Sequence, residues 1–269
     1  MPRIEINGTR LYYEDTGSGD ETVFFSHGLL WDGRMFGPQV EALSDRYRCI
    51  TYDHRGQGRS EVPTESSIPM DLLAADAAAL IEALDAAPCH FVGLSMGGFT
   101  GMRVAARRPD LVRSLVLMET SARPEEPQNR VKYRLLAQAA RLAGTGPLTG
   151  QVMPIMFGQT FLDDPSRAPE REQWKTILAG NRKDIYKAVN GVIERGNVEV
   201  EVARIEVPTL VMVGEEDVAQ PPEESELLAS AIPDAKLVRI PRAGHTSTIE
   251  EPAFVNQELQ QWLETHREA

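Results

Sequence analysis

Between a strand-like run, His90-Phe91-Val92, and a helical pattern that continues to Arg107, the chain reads Gly93-Leu94-Ser95-Met96-Gly97. A serine with a glycine two residues away on each side, at the point where a strand becomes a helix, marks a turn too tight for larger flanking side chains. Such a turn strains the serine backbone and lifts its hydroxyl clear of the sheet. Gly98 adds room for the following helix to pack closely. The motif therefore demands a strand before it, a helix after it and a sheet for both to pack against.

The rest of the chain supplies that setting. Short β-rich runs at 23–26, 49–52, 90–93 and 115–118 alternate with helical patterns at 36–43, 70–84 and 97–107, the last stopped by Pro109. An antiparallel strand pair is expected over 3–14. The strands are apolar throughout, as they must be when helices cover both faces of a parallel sheet. After Ala122 the residues Pro124, Glu125, Glu126 and Pro127 break the pattern, and helical periodicity then runs to about Gly196. Gly144, Gly146, Pro147, Pro154, Pro165 and Pro169 divide it into short helices, including 170–178 and 183–195. Strand and helix return at 209–213, 222–231, 236–240 and 252–264. The expected class is α/β, a mostly parallel sheet covered by helices on both faces. The expected organisation is a core over 1–121, a helical lid over 122–196 and the remainder of the core over 197–269, with no internal repeat.

Composition narrows the setting further. The 269 residues are 42% apolar and 25% charged, which is ordinary globular usage. The longest apolar runs fall far short of the roughly 20 residues that cross a bilayer, and the N-terminal stretch lacks the apolar segment of a secretory signal. A cytoplasmic protein without a membrane partner is expected. A formal net charge of -12 argues against a nucleic-acid partner and weights the substrate towards a neutral small molecule. Cys49 and Cys89 lie in apolar runs outside any metal or redox pattern, so both are expected to be buried thiols, with no metal and no cofactor. A homo-oligomer is compatible with the sequence.

A serine hydroxyl is a poor nucleophile at neutral pH and needs a base held by a third group. Of five histidines, His245 in Ala243-Gly244-His245 follows the last strand, at the sheet edge where it can meet Ser95. His266 falls in a tail expected to be exposed, and His54 and His90 are expected to be satisfied structural residues. The strand, serine turn and helix resemble the α/β-hydrolase elbow, and that resemblance implies an acid between serine and histidine in the chain. Gly214-Glu215-Glu216-Asp217 follows an apolar strand, and Asp217 is preferred to Glu215 and Glu216, which are expected to face solvent. Glu119, just past the strand ending at Met118, is the outside candidate. Two backbone N–H groups must face the developing oxyanion. Met96 supplies one, and the turn Ser26-His27-Gly28-Leu29-Leu30-Trp31 supplies the other, assigned to Leu29, with His27 fixing that turn. The glycine-supported turn Asp53-His54-Arg55-Gly56-Gln57-Gly58-Arg59-Ser60 lacks the lysine and spacing of a phosphate loop and is given a structural role beside the site.

A histidine-glycine turn, an Asp-x-Arg-Gly-x-Gly-x-Ser turn, GLSMGG, Gly-x-x-Asp and Gly-His occur here in the order that resembles the α/β-hydrolase superfamily, over nearly the whole chain. The stretch HFVGLSMGGFTGMRVAARRPDLVRSLVLMETSA is similar to the 3-oxoadipate enol-lactonase branch, and SHGLLWDG resembles small bacterial esterases and cofactor-free haloperoxidases. The resemblance implies the α/β-hydrolase fold. Haloalkane dehalogenases and epoxide hydrolases of that superfamily carry an aspartate at the elbow, whereas this chain has Ser95. The expected activity is hydrolysis of a carboxylic ester or lactone through an acyl-enzyme on Ser95. The alternatives are a cofactor-free perhydrolase of the haloperoxidase type, and a ligand receptor on a hydrolase scaffold. Met153, Met156, Phe157, Phe161 and Trp174 are candidates for the pocket wall, and equally for the core of the lid.

Overall fold

In the computed structural model, which describes residues 2–267, eight strands form one sheet in the order β1-β2-β4-β3-β5-β6-β7-β8. They are β1 (Arg3–Ile6), β2 (Thr9–Thr16), β3 (Thr22–Ser26), β4 (Arg48–Tyr52), β5 (Cys89–Leu94), β6 (Val112–Met118), β7 (Thr209–Gly214) and β8 (Lys236–Ile240). The pairs β1/β2 and β2/β4 are antiparallel, and every other pair is parallel. The parallel strands thus present their carboxyl ends along one edge, where loops gather side chains from distant parts of the chain.

The α-helices, in chain order, are α1 (Gly37–Leu43), α2 (Met70–Ala83), α3 (Met96–Arg107), α4 (Pro127–Ala143), α5 (Thr149–Met156), α6 (Gln159–Asp163), α7 (Ala168–Ala179), α8 (Tyr186–Ile193), α9 (Glu199–Val202), α10 (Pro222–Ala231), α11 (Ser247–Glu250) and α12 (Pro252–Thr265). Side chains alternate across the sheet and divide the core in two. Phe24, Phe91 and Leu117 face Leu73 and Leu80 of α2, Phe99 of α3 and Leu228 of α10. Val23, Phe25, Val92 and Met212 face Leu43 of α1 and Val255 and Leu259 of α12. With both faces covered, β3, β5 and β7 are buried at every residue. Cys49 and Cys89 are free and buried, and desolvation raises both thiols to about 12.

The sequence reading of the elements differs from the structure mainly at their ends. The expected helix at 36–43 begins at Gly37. The turn before it is a 3₁₀ turn, Gly33–Phe36, capped by the Asp32 carboxylate on Arg34 N–H. The helix expected over 183–195 is a 3₁₀ turn, Lys183–Ile185, followed by α8. Strand β6 starts three residues earlier than expected: Arg113 and Ser114 interrupt the apolar run, yet Val112 pairs with Cys89 and Ser114 with His90 across a bulge at Arg113. Between β6 and β7 the described chain is helical, from Pro127 to Val202. Among the described residues no helix is long and apolar enough to cross a membrane.

Candidate active site

Ser95 lies at the junction of β5 and α3 with φ 53° and ψ -110°. A β-carbon-bearing residue pays on the order of 1–3 kcal/mol for such a conformation, so the surroundings must impose it. They do so by close approach. A Cβ on Gly97 would overlap Ser26 O, one on Gly93 would overlap the Gly97 carbonyl, and one on Gly98 would press on the Thr120 side chain. Ser95 N–H is held by Met118 O at 2.8 Å, and Ser95 O accepts the Thr120 hydroxyl at 3.0 Å and Phe99 N–H at 2.9 Å. The peptide is thus clamped on both sides and the hydroxyl is left to point off the sheet edge.

His245 follows β8, and its Nε2 stands 2.9 Å from Ser95 Oγ. Its Nδ1 stands 2.8 Å from Asp217 Oδ2. The other Asp217 oxygen accepts Ala219 N–H at 2.8 Å and Gln220 N–H at 3.0 Å, which fixes the carboxylate in the turn after β7. Ser95, Asp217 and His245 are 7%, 4% and 4% exposed, so the relay is screened from bulk water while the serine still borders a cavity.

The neighbouring acids divide differently from expectation. Glu215 is exposed, but Glu216 is half-buried and accepts Thr160 N–H at 2.8 Å and the Thr160 hydroxyl, anchoring the first turn of α6. Its expected place in solvent is therefore corrected: the start of α6 folds down onto it. Glu119 is fully buried with neither carboxyl oxygen in hydrogen-bonding geometry. Burial first, then the Asp217 carboxylate, hold it well above the ordinary carboxylate range, and the nearby Ser247 hydroxyl and Gly214 amide offset this only in part. It makes no contact with His245 of the kind Asp217 makes.

The turn after β3 is held by hydrogen bonds on either side of Leu29. Leu30 has φ 73°, its N–H donates to Gln57 Oε1 at 3.1 Å, and its carbonyl accepts Asn181 Nδ2 at 2.9 Å. Trp31 N–H bonds Gly28 O at 3.3 Å. His27 Nε2 accepts His54 N–H at 2.9 Å, so the ring proton sits on Nδ1 and is donated to Gly28 O at 2.7 Å. Burial keeps that imidazole below its ordinary pKa, hence neutral. Leu29 and Leu30 both line the cavity beside Ser95, and Met96 opens α3 with its amide at the positive end of the helix. The turn 53–60 is the other support: Asp53 accepts Gly33 N–H at 3.0 Å and Arg59 N–H at 2.7 Å, and Gly58 is needed because a Cβ there would overlap the Asp53 carboxylate.

The remaining histidines lie away from the serine. His54 is bonded at both nitrogens, to Ser26 Oγ at 3.0 Å and Tyr52 OH at 3.3 Å. His90 is bonded at one only, to Ser114 Oγ at 2.8 Å, with its other nitrogen 3.9 Å from Glu21; it is half satisfied rather than fully, and burial lowers its pKa to about 4. His266 is not in an exposed tail: it packs on Trp262 at the end of α12.

The cavity holds about 910 Å3, its mouth included, between the sheet edge and the helices α4, α5 and α8. Leu136, Ala140, Val152, Ile155, Val189 and Val192 form much of its wall, and among the described residues no lysine or arginine lines it. Of the five side chains proposed from sequence, Met156 lines it. Met153, Phe157, Phe161 and Trp174 instead belong to the buried cluster that also holds Trp31, with Phe157 and Trp174 against its ring and Phe161 stacked on Phe157. Gln57, Asn181 and Glu250 carry parts of the site that residue type did not mark, since each acts on backbone groups; the one available signal was Gln57 between two glycines in a turn at the sheet edge.

The sequence profile of the alpha/beta hydrolase fold family matches residues 21–252. A thermophilic esterase from Thermogutta terrifontis superposes with a TM-score of 0.91 at 32% identity, over 99% of this chain and 100% of that one. The enol-lactonase of Burkholderia xenovorans LB400 does so with a TM-score of 0.90 at 31% identity, over 97% and 99%. A Mycobacterium tuberculosis protein provisionally named a non-heme bromoperoxidase is 32% identical over 251 residues, 91% of this chain and 94% of its own. With the sheet order and the serine elbow already described, these similarities establish that the chain belongs to the α/β-hydrolase fold family.

Proposed function

We propose that this hydrolase cleaves carboxylic esters or lactones through an acyl-enzyme on Ser95. The observation that carries the reading is the unbroken relay from Ser95 Oγ through His245 to Asp217, at 2.9 and 2.8 Å, opening on an apolar cavity. His245 takes the hydroxyl proton as Ser95 attacks the carbonyl carbon, and Asp217 holds the ring and stabilises the imidazolium. The Leu29 and Met96 amides receive the oxyanion. The alcohol leaves with the proton from His245, and water, activated by the same base, releases the acid. Neither a metal nor a cofactor has a part in these steps.

The cavity wall supports a neutral, apolar acyl group. A substrate carrying a carboxylate, such as 3-oxoadipate enol-lactone, meets Glu125 and no free cation among the lining residues, because the nearby Arg195 is already paired with Glu125 at 2.7 Å. The test is a panel of p-nitrophenyl esters of graded chain length beside neutral and anionic lactones. At about 0.8 kcal/mol per buried methylene, kcat/KM rises about fourfold per added CH₂ while the cavity fills. Ser95→Ala abolishes turnover, and a serine-directed phosphonate labels the native protein once and this variant not at all; residual activity above a few per cent would sink the nucleophile assignment. The bromoperoxidase-named relative favours one second reading, in which peroxide replaces water in the deacylation and the product is a peracid. Peracid formation measured beside ester hydrolysis separates the two.

A further inference from the structure

His245 sits in a loop between β8 and α11 that has little structure of its own. Glu250, the last residue of α11, is 2% exposed and turns its carboxylate back under that loop. Oε1 accepts Thr246 N–H at 3.0 Å, and Oε2 accepts Gly244 N–H at 3.0 Å. These are the two residues that flank His245. Oε2 also accepts Gly158 N–H, at 2.7 Å, and Gly158 leads into lid helix α6. One buried carboxylate therefore grips the chain on both sides of the histidine and the lid as well.

The surroundings are shaped for this grip. The backbones of Gly158 and Gly244 approach so closely that a Cβ on either would overlap or crowd the other. The Thr246 hydroxyl donates to Met156 O at 2.6 Å, a second tie between the loop and the lid. Arg167 donates to the carbonyls of Ile249 at 2.9 Å and Glu250 at 3.0 Å, and so holds the helical turn from which Glu250 reaches back. A carboxylate at this depth is a costly strut, since an apolar side chain fills the same space without desolvating a charge. Burial indeed raises it to about 7 despite three amide donors.

We propose that Glu250 is a positioning residue: by gripping the peptide groups of Gly244, Thr246 and Gly158 it keeps His245 Nε2 aimed at Ser95 and registers the lid to the base. This rests on the reading of His245 as the general base. Glutamine has nearly the same shape, but its NH₂ would face an amide donor at one of the two oxygen positions, so the grip is broken without a cavity being made. A displacement of the base by about 1 Å costs up to about 100-fold in rate.

The test is Glu250→Gln, assayed on p-nitrophenyl acetate with active sites counted by phosphonate labelling. The expected result is a kcat lower by roughly 10- to 100-fold per labelled site with KM within about threefold, because the lost alignment matters in the transition state and not in binding. Wild-type kcat per labelled site, with only yield or Tm reduced, would make Glu250 a strut and overturn the proposal, as would a rise in KM alone. Arg167→Met, which loosens the same turn and leaves the carboxylate in place, lowers kcat by roughly 3- to 10-fold on the same argument. If Glu250→Gln does not fold, unchanged kcat in Arg167→Met overturns the proposal. Ser95→Ala run alongside separates the two readings: activity surviving there removes the nucleophile assignment and the positioning role with it. An inactive Ser95→Ala with wild-type kcat in Glu250→Gln removes the positioning role alone.

Discussion

Asp217 illustrates how a single side chain is chosen from a run of like residues. Glu215, Glu216 and Asp217 offer the same charge in the same turn, yet only Asp217 reaches Nδ1 of His245, with its second oxygen saturated by the amides of Ala219 and Gln220. Asp217→Asn keeps the size but leaves the ring in the wrong tautomer, and kcat is expected to fall by about 10⁴ with the fold intact by circular dichroism. Glu215→Gln, which changes only a screened surface charge, stays within about fivefold. A silent Asp217→Asn beside a crippled Glu119→Gln would move the acid to the turn after β6. At this scale the sequence marked Ser95, His245 and Asp217 by residue type, chain order and the strand before each. It could not mark Glu250, which acts through backbone amides and so leaves no pattern of paired side chains; Gln57 acts in the same way and was signalled only by its place between two glycines.

The elements were legible to the extent that their signal is local. Strand β5, the elbow and helix α3 follow from apolar continuity broken by glycines, and α10 and β8 fall at the residues expected. The segment between β6 and β7 was legible as helical but its faces were not. Its aromatic residues satisfy an amphipathic pattern whichever way they turn: the structure turns Phe157 and Trp174 towards Trp31, with Phe161 stacked on Phe157, and leaves Tyr133 with aliphatic residues of α4, α5 and α8 on the cavity wall. Val189 on α8 is half-buried with a side of the cavity before it. Val189→Phe is therefore expected to fill acyl space: kcat/KM for a p-nitrophenyl hexanoate falls more than about tenfold, by the loss of two to three buried methylenes' worth of binding, while the acetate stays within about threefold. Equal losses on both esters would place the acyl group elsewhere.

Across the whole molecule the acidic balance is mostly a surface property, but two acids, Glu119 and Glu250, are buried beside Asp217. A carboxyl whose folded pKa is raised binds its proton more tightly when folded, so its contribution to stability is largest at low pH and is lost as pH rises above the unfolded value of about 4.5. Glu119→Gln removes that loss. Urea unfolding across pH 5 to 8 should show the variant gaining on the native protein as pH rises, and parallel curves would mean that Glu119 is not protonated in the fold. The sequence alone determined the alternation of strand and helix, the elbow, and the kinds of residue available for the chemistry, because these depend on periodicity and on neighbours a few positions apart. Only the tertiary structure decided which acid faces inward, which residues between β6 and β7 wall the cavity and what holds His245 in place. Those choices are contacts across 28 residues from Asp217 to His245, 92 from Gly158 to Glu250 and 150 from Ser95 to His245, and they exist only once the sheet has brought the carboxyl ends of its strands to one edge.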